Sequence, residues 1–163
     1  MGTFEIFGLQ FALSIVVYAL IFRWYVSPWL ASMPARSALV ILLIPHLLRH
    51  LGMTFLVTTV VSADVPRSFA AEVGYGDLLA LVLALLSVLA LRARAEFAQG
   101  LVWVFNVVGS LDLMNALYQG LRLNVFEYQF GAAWYIPTFA VPLLFVTHYM
   151  IFVTLLRRRK GAR

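Results

Sequence analysis

The sequence predicts an all-α integral membrane protein with a bundle of five transmembrane helices. Of its 163 residues, 63% are hydrophobic and only 12% are charged, whereas soluble domains are about one quarter charged. Five apolar segments each have roughly the 20 residues that a helix needs to cross a bilayer. The length fits one transmembrane domain over residues 1–163 and leaves no room for a separate soluble domain.

The five helices are predicted at about residues 6–26, 38–61, 73–91, 98–118 and 133–156. Ser27-Pro28 and Met33-Pro34 are expected to break the chain after the first helix, and Pro66 after the second, because proline disfavours helix continuation. The longest predicted loop, residues 119–131, is expected to lie along the outer surface.

Basic residues alternate between the connecting segments and predict the orientation. They comprise Arg23 and Arg36 after the first helix, Arg92 and Arg94 after the third, and Arg157-Arg-Arg-Lys160 with Arg163 at the C-terminus. Five helices bring all three groups to one side, so the positive-inside rule predicts an N-terminus outside and a cytoplasmic C-terminus in the cell (inner) membrane. The C-terminal cluster is interpreted as a membrane-surface anchor, and no nucleic-acid partner is expected.

The second predicted helix carries three basic side chains in an otherwise apolar segment. At about 100° per residue, His46, Arg49 and His50 fall on one helix face. A charged side chain at the middle of a bilayer costs about 2.5–3.5 kcal/mol, so compensating partners are expected on neighbouring helices. The sequence has no cysteine, which excludes disulfides, thiolate metal sites and cysteine nucleophiles.

Candidate partners occur on the fourth and fifth predicted helices. Gly109, Asp112 and Asn115 follow one another at helical spacing, and His148 is expected at the depth of His46. The predicted polar site therefore consists of six residues from three helices: His46, Arg49, His50, Asp112, Asn115 and His148.

Structural roles are the alternative for each of these residues. An Arg49–Asp112 ion pair can simply hold two helices in register, and Asn115 and Asn106 can act as interhelical hydrogen-bonding groups. Asp77, expected near the start of the third helix, is interpreted as a cap or as a partner of the helix dipole.

Three functions remain open from the residues. The first is a site that binds or translocates a proton, an ion or a small polar ligand, because histidine titrates near neutral pH and an Arg49–Asp112 pair can switch partners. The second is electron transfer by a b-type haem held by His46 and His148, or a metal site formed by His46, His50 and His148 with Asp112. The third is an accessory or assembly subunit of a membrane complex, or a homo-oligomer, with a purely structural polar core.

Enzymatic activity is not predicted, although an intramembrane lipid-modifying or isomerising enzyme remains open. The chain has no Gly-rich phosphate loop and no Ser–His–Asp arrangement that is consistent with helix depth.

Overall fold

Five long helices form the bundle in a computed structural model that describes residues 1–161, with side chains as far as Arg157. They are α1 (Thr3–Ala31), α2 (Ala35–Leu56), α3 (Arg67–Arg92), α4 (Ala98–Arg122) and α5 (Gly131–Arg157). Each is long and apolar enough to cross a membrane. Side chains 158–163, which form most of the predicted C-terminal basic cluster, lie outside the described part.

The helix boundaries differ from the predicted ones by five or more residues at three places. α1 continues to Ala31, so the predicted break at Ser27-Pro28 is wrong, and the chain turns at residues 32–34 instead. α2 ends at Leu56, five residues before the predicted end. α3 begins at Arg67 rather than at residue 73, directly after the N-cap residue Pro66, whose ψ of 123° is not helical. This moves Asp77 from the first turns into the helix interior.

Short π-helical segments explain how prolines fit inside α1 and α5. The segments Phe22–Val26 and Ile136–Ala140 each precede a proline by two residues, namely Pro28 and Pro142. Proline removes one backbone donor and crowds the carbonyl one turn earlier. A π-turn shifts the hydrogen-bond register by one residue, as the bond from Ser27 N to Phe22 O shows, and the helix continues through the proline.

The second half of α2 is a long 3-10 helix. The α-helical first part, Ala35–Leu43, changes to 3-10 geometry over Ile44–Leu56, with Pro45 at the start. Runs of 3-10 helix longer than three or four residues are uncommon and often mark strained or functional segments. This segment supplies the charged centre of the bundle.

Two apolar clusters lie at opposite ends of the bundle. The end that contains the last turns of α1 and α5 is named the inner end, and the end that contains their first turns is named the outer end. The inner cluster includes Leu39, Leu43, Val102, Phe105, Ile151 and Leu155. The outer cluster includes Phe7, Phe55, Phe69, Val125, Phe126 and Phe130. Part of the 119–131 loop is therefore packed into the bundle rather than lying on its surface. Polar side chains occupy the level between the clusters.

Candidate functional site

The 3-10 geometry of α2 selects which of its polar residues are buried. His46, Arg49, Gly52 and Phe55 are all buried and recur every three residues, because a 3-10 helix has about three residues per turn. His50 is exposed, and its Nδ1 atom lies 3.2 Å from the carbonyl oxygen of Leu47 in its own helix. The expectation that His50 shares a face with His46 and Arg49 is wrong because it assumed α-helical rotation.

Arg49 joins three helices. Its Nε donates to Asp77 Oδ1 on α3 at 2.6 Å, its Nη2 donates to Asp112 Oδ2 on α4, and its Nη1 donates to the Gly109 carbonyl at 3.2 Å. The Arg49 side chain is fully buried, whereas those of Asp77 and Asp112 are 11% and 21% exposed. The expected Arg49–Asp112 ion pair is present, and a second carboxylate joins it.

Three glycines provide the space for these side chains. A Cβ atom on Gly52 would overlap the Asp77 carboxylate, and one on Gly76 would overlap the carboxylate of Asp112. A Cβ atom on Gly109 would lie 2.8 Å from His148 Cε1 and 3.3 Å from Arg49 Nη1. Glycine at these positions lets the polar groups of one helix contact the backbone of the next.

The two buried histidines lie in contact on the inner side of Gly109. Their ring centroids are 4.2 Å apart. His148 Nδ1 lies 2.7 Å from Asn106 Oδ1, while Asn106 Nδ2 donates to the His148 carbonyl at 3.2 Å. This pairing fixes the Asn106 amide, so His148 Nδ1 carries a proton and its Nε2 is an acceptor.

His46 has the opposite tautomer by the same reasoning. Its Nε2 lies 3.0 Å from Thr147 Oγ1, and the carbonyls of Leu143 and Leu144 are two acceptors at 3.0 Å for the single proton of that hydroxyl. His46 Nε2 therefore donates and its Nδ1 is an acceptor. His46 Nδ1 and His148 Nε2 are both buried without a hydrogen-bond partner in the described part of the chain. Both imidazoles are neutral in this arrangement.

A cavity of about 50 Å³ lies on the outer side of the ion pairs. Phenylalanines from four parts of the chain line it, and Ile136 and Pro137 of the π-helical segment complete the wall. Asp77 and Asp112 are the lining residues with polar side chains among those described. The volume is enough for about three to five water-sized groups, since one water molecule needs about 10–15 Å³ on this measure.

The structure brings together four of the six predicted site residues: His46, Arg49, Asp112 and His148. Asn115 is exposed and lies outside the cluster, because the buried face of α4 runs through Val102, Gly109 and Leu113. Asp112 lies at the edge of that face, and Asn115 is rotated further away from it.

Three residues of the cluster were not predicted as site residues: Asp77, Asn106 and Thr147. The signal for Asp77 is the series of small residues on α3, Ala70, Gly74, Asp77, Ala80 and Ala84, which is a helix-packing pattern with one acid in it.

Haem and metal do not fit this arrangement. The rings of His46 and His148 are in contact, which leaves no room for a porphyrin plane between them. Within residues 1–161 no three His, Asp or Glu side chains are grouped so that they could hold a metal ion, and His50 lies away from the other two histidines.

Comparison with known proteins gives one match. No curated protein and no solved structure matches the chain. A family model described as a domain of unknown function, DUF8737, matches residues 6–156. Because this match includes all five helices, the chain belongs to the DUF8737 family.

Proposed function

We propose that the chain is a five-span integral membrane protein that binds a proton or a small organic cation at Asp77 and Asp112. In this proposal the N-terminus is outside, the C-terminus is cytoplasmic, and the ligand enters from the outer end of the bundle. The sequence predicts a site for a proton, an ion or a small polar ligand, and the proposed ligand is limited to a proton or a small organic cation.

The observation that carries the proposal is an imbalance of buried charge. Asp77 and Asp112 share the single cation Arg49, and the tautomers of His46 and His148 leave both rings neutral. With both carboxylates ionised the cluster has a net charge of −1. Burying an uncompensated charge is costly, so one proton or one monovalent cation stabilises the bundle.

The cavity wall supports a cation that also has apolar surface. The polar side chains of the lining are carboxylates, which accept hydrogen bonds and repel anions. The other walls are mainly phenyl rings, and aromatic faces attract ammonium groups and their methyl substituents. A methylated ammonium ion combines both properties within the available volume.

The inner end of the bundle favours binding over translocation, because its buried side chains are mainly apolar. Beyond the histidines lies the inner cluster, whose fully buried side chains include Leu39, Leu43, Val102, Phe105, Ile151 and Leu155. A cation that moved toward the inner end would meet these apolar side chains and the buried hydroxyl of Ser87, which already donates to the Leu83 carbonyl in its own helix. The structure therefore supports a site that opens to one side.

The test is calorimetric titration of the purified protein with tetramethylammonium in detergent, repeated in two buffers with different ionisation enthalpies. We expect binding, with a proton released whenever the ligand replaces one bound at the carboxylates. Asp112→Asn and Asp77→Asn each make the cluster neutral, so each is expected to weaken binding by about tenfold or more.

Asp64→Asn is the matched control, since Asp64 lies in an outer loop and bonds to Ser62. Equal affinity in all three variants, or no binding by the wild type, would contradict the proposed cation site. Unchanged folding in that case would favour the accessory-subunit hypothesis, in which the polar cluster only specifies packing. A partner complex or a homo-oligomer stays a prediction.

A further inference from the structure

A second cavity lies between α1 and α5, at the inner end of the bundle and away from the charged cluster. It is a groove of about 910 Å³. The part of the groove nearer the middle of the bundle is apolar and includes Ile15, Ala19 and Phe145. The part nearer the inner end contains two arginines, Arg23 and Arg157, and none of the described residues that line the groove is acidic.

The side chains of the groove have a defined order along the helices. Ser27 Oγ lies 3.9 Å from Met150 Sδ, which sets the relative level of α1 and α5. Arg23 is one turn before Ser27, and Arg157 is about two turns after Met150. At 1.5 Å per residue the two arginines are about 16 Å apart along the bundle axis, with Ser27 and Thr154 between them.

Neither arginine forms an ion pair with a described residue, since the ion pairs of the described part involve Met1 and Arg49. Both are exposed. The groove therefore has a positively charged polar part with free donors, next to an apolar part that extends about 12 Å from Arg23 back to Ile15. That length approaches the roughly 15 Å thickness of the hydrocarbon region of one leaflet.

We infer that this groove binds one anionic phospholipid of the leaflet that faces the basic end of the bundle. The phosphate lies between Arg23 and Arg157, where guanidinium groups form charge-assisted hydrogen bonds to its oxygens. Ser27 and Thr154 lie at the level of the phosphate, the glycerol region lies on the Arg23 side of it, and one acyl chain lies along Ile15, Ala19 and Phe145. Basic pockets between membrane helices bind anionic headgroups in this way.

The charges decide between a lipid and a protein helix as the occupant. A transmembrane helix of a partner would need acidic side chains on its groove-facing side to pair with both arginines, and acidic residues are rare in membrane-spanning segments. An anionic phospholipid supplies the negative charge with its headgroup phosphate. The inference depends on the proposed membrane insertion and does not depend on the cation site at Asp77 and Asp112.

Native mass spectrometry of the protein in detergent with equimolar phosphatidylglycerol and phosphatidylcholine tests the inference. We expect the first bound lipid of the wild type to be phosphatidylglycerol. Each of Arg23→Gln and Arg157→Gln is expected to lower this preference about five-fold, the factor that corresponds to about 1 kcal/mol per arginine. Their combination is expected to abolish it.

Two further variants test whether the effect is specific to the groove. Arg92→Gln removes an exposed arginine at the same end of the bundle but outside the groove, and it is expected to leave the preference unchanged. Ala19→Phe fills the apolar part without changing charge, and it is expected to lower retention of the lipid while the thermal unfolding midpoint is maintained.

An equal loss of preference in all arginine variants would overturn the inference in favour of a general effect of net charge. Absence of any preference in the wild type would overturn it directly. Displacement of the lipid by millimolar glycerol 3-phosphate would indicate a site for a soluble phosphate compound instead.

Discussion

Arg49 is the central residue of the buried polar side chains that lie between the inner and outer apolar clusters. It has bonds to α3 and α4 from its position on α2, so its guanidinium holds two carboxylates and one main-chain carbonyl at once. Removal of one carboxylate leaves the Arg49 cation paired with one remaining carboxylate, so the two charges cancel. Removal of the arginine leaves two carboxylates without a cation, which is the more costly change.

We therefore predict that Arg49→Gln destabilises the protein by about 3–5 kcal/mol, whereas Asp112→Asn costs less than about 2 kcal/mol. Thermal unfolding in detergent, followed by the fluorescence of the four tryptophans, measures both. The triple variant Arg49→Met, Asp77→Leu, Asp112→Leu is expected to recover much of the loss, because it leaves no buried charge. Equal destabilisation by the two single variants would contradict the role assigned to Arg49.

Two glycines of α4 allow a matched comparison of packing. Gly109 lies against His148 and Arg49, whereas a Cβ atom on Gly100 would have no neighbour within 4 Å. Gly109→Ala is predicted to destabilise the protein by about 1–3 kcal/mol, because the ring and the guanidinium must move apart. Gly100→Ala is predicted to be neutral or stabilising by up to about 1 kcal/mol, since alanine favours the helix. The same unfolding assay measures both, and equal effects would mean that the contact at Gly109 relaxes freely.

The 3-10 segment of α2 determines which residues reach the bundle centre. Its period of about three residues brings His46, Arg49 and Gly52 into one line and turns His50 outward. In an α-helix of the same sequence, His50 would lie beside His46. The geometry of this element, rather than residue type, separates the two histidines.

His46→Ala is accordingly predicted to cost about 2 kcal/mol or more, because it opens a cavity and removes the bond to Thr147. His50→Ala is predicted to stay within about 0.5 kcal/mol of the wild type, as is usual for exposed positions. Unfolding midpoints of the two variants test this directly. A larger loss for His50→Ala would indicate α-helical rotation of this segment.

The sequence predicted the number of helices and the Arg49–Asp112 contact, because apolar length and rare buried charge are strong signals. It did not predict the 3-10 geometry, since hydrophobic periodicity over a uniformly apolar segment does not separate periods of 3.0 and 3.6. The sequence does not predict the role of Asp77, because the apolar pattern predicts the start of α3 at residue 73, and Asp77 then occupies the first turns, where an acid is expected to be a cap. The role of Asn106 depends on its contact with His148 on another helix, and no local sequence pattern predicts that contact.

At the scale of the whole molecule, charge is distributed unequally between the two ends of the bundle. By sequence, nine of the twelve basic residues lie in the last turns of α1, α3 and α5 or within the few residues that follow these helices, whereas Arg67 and Arg122 belong to the opposite end. The acidic residues outside the cluster show the reverse distribution, with Glu96 as the one that shares the basic end. The odd number of helices keeps all three basic groups together.

This distribution predicts that the basic end faces the cytoplasm. Because the chain has no cysteine, single cysteines report the orientation without background. Thr59→Cys lies in the exposed segment between α2 and α3, and Glu96→Cys lies in the exposed segment between α3 and α4. In intact expressing cells, a membrane-impermeant maleimide is expected to label Thr59→Cys, and Glu96→Cys only after permeabilisation. The reverse pattern would place the cation cavity on the cytoplasmic side, and labelling of both in intact cells would contradict insertion as a five-span bundle.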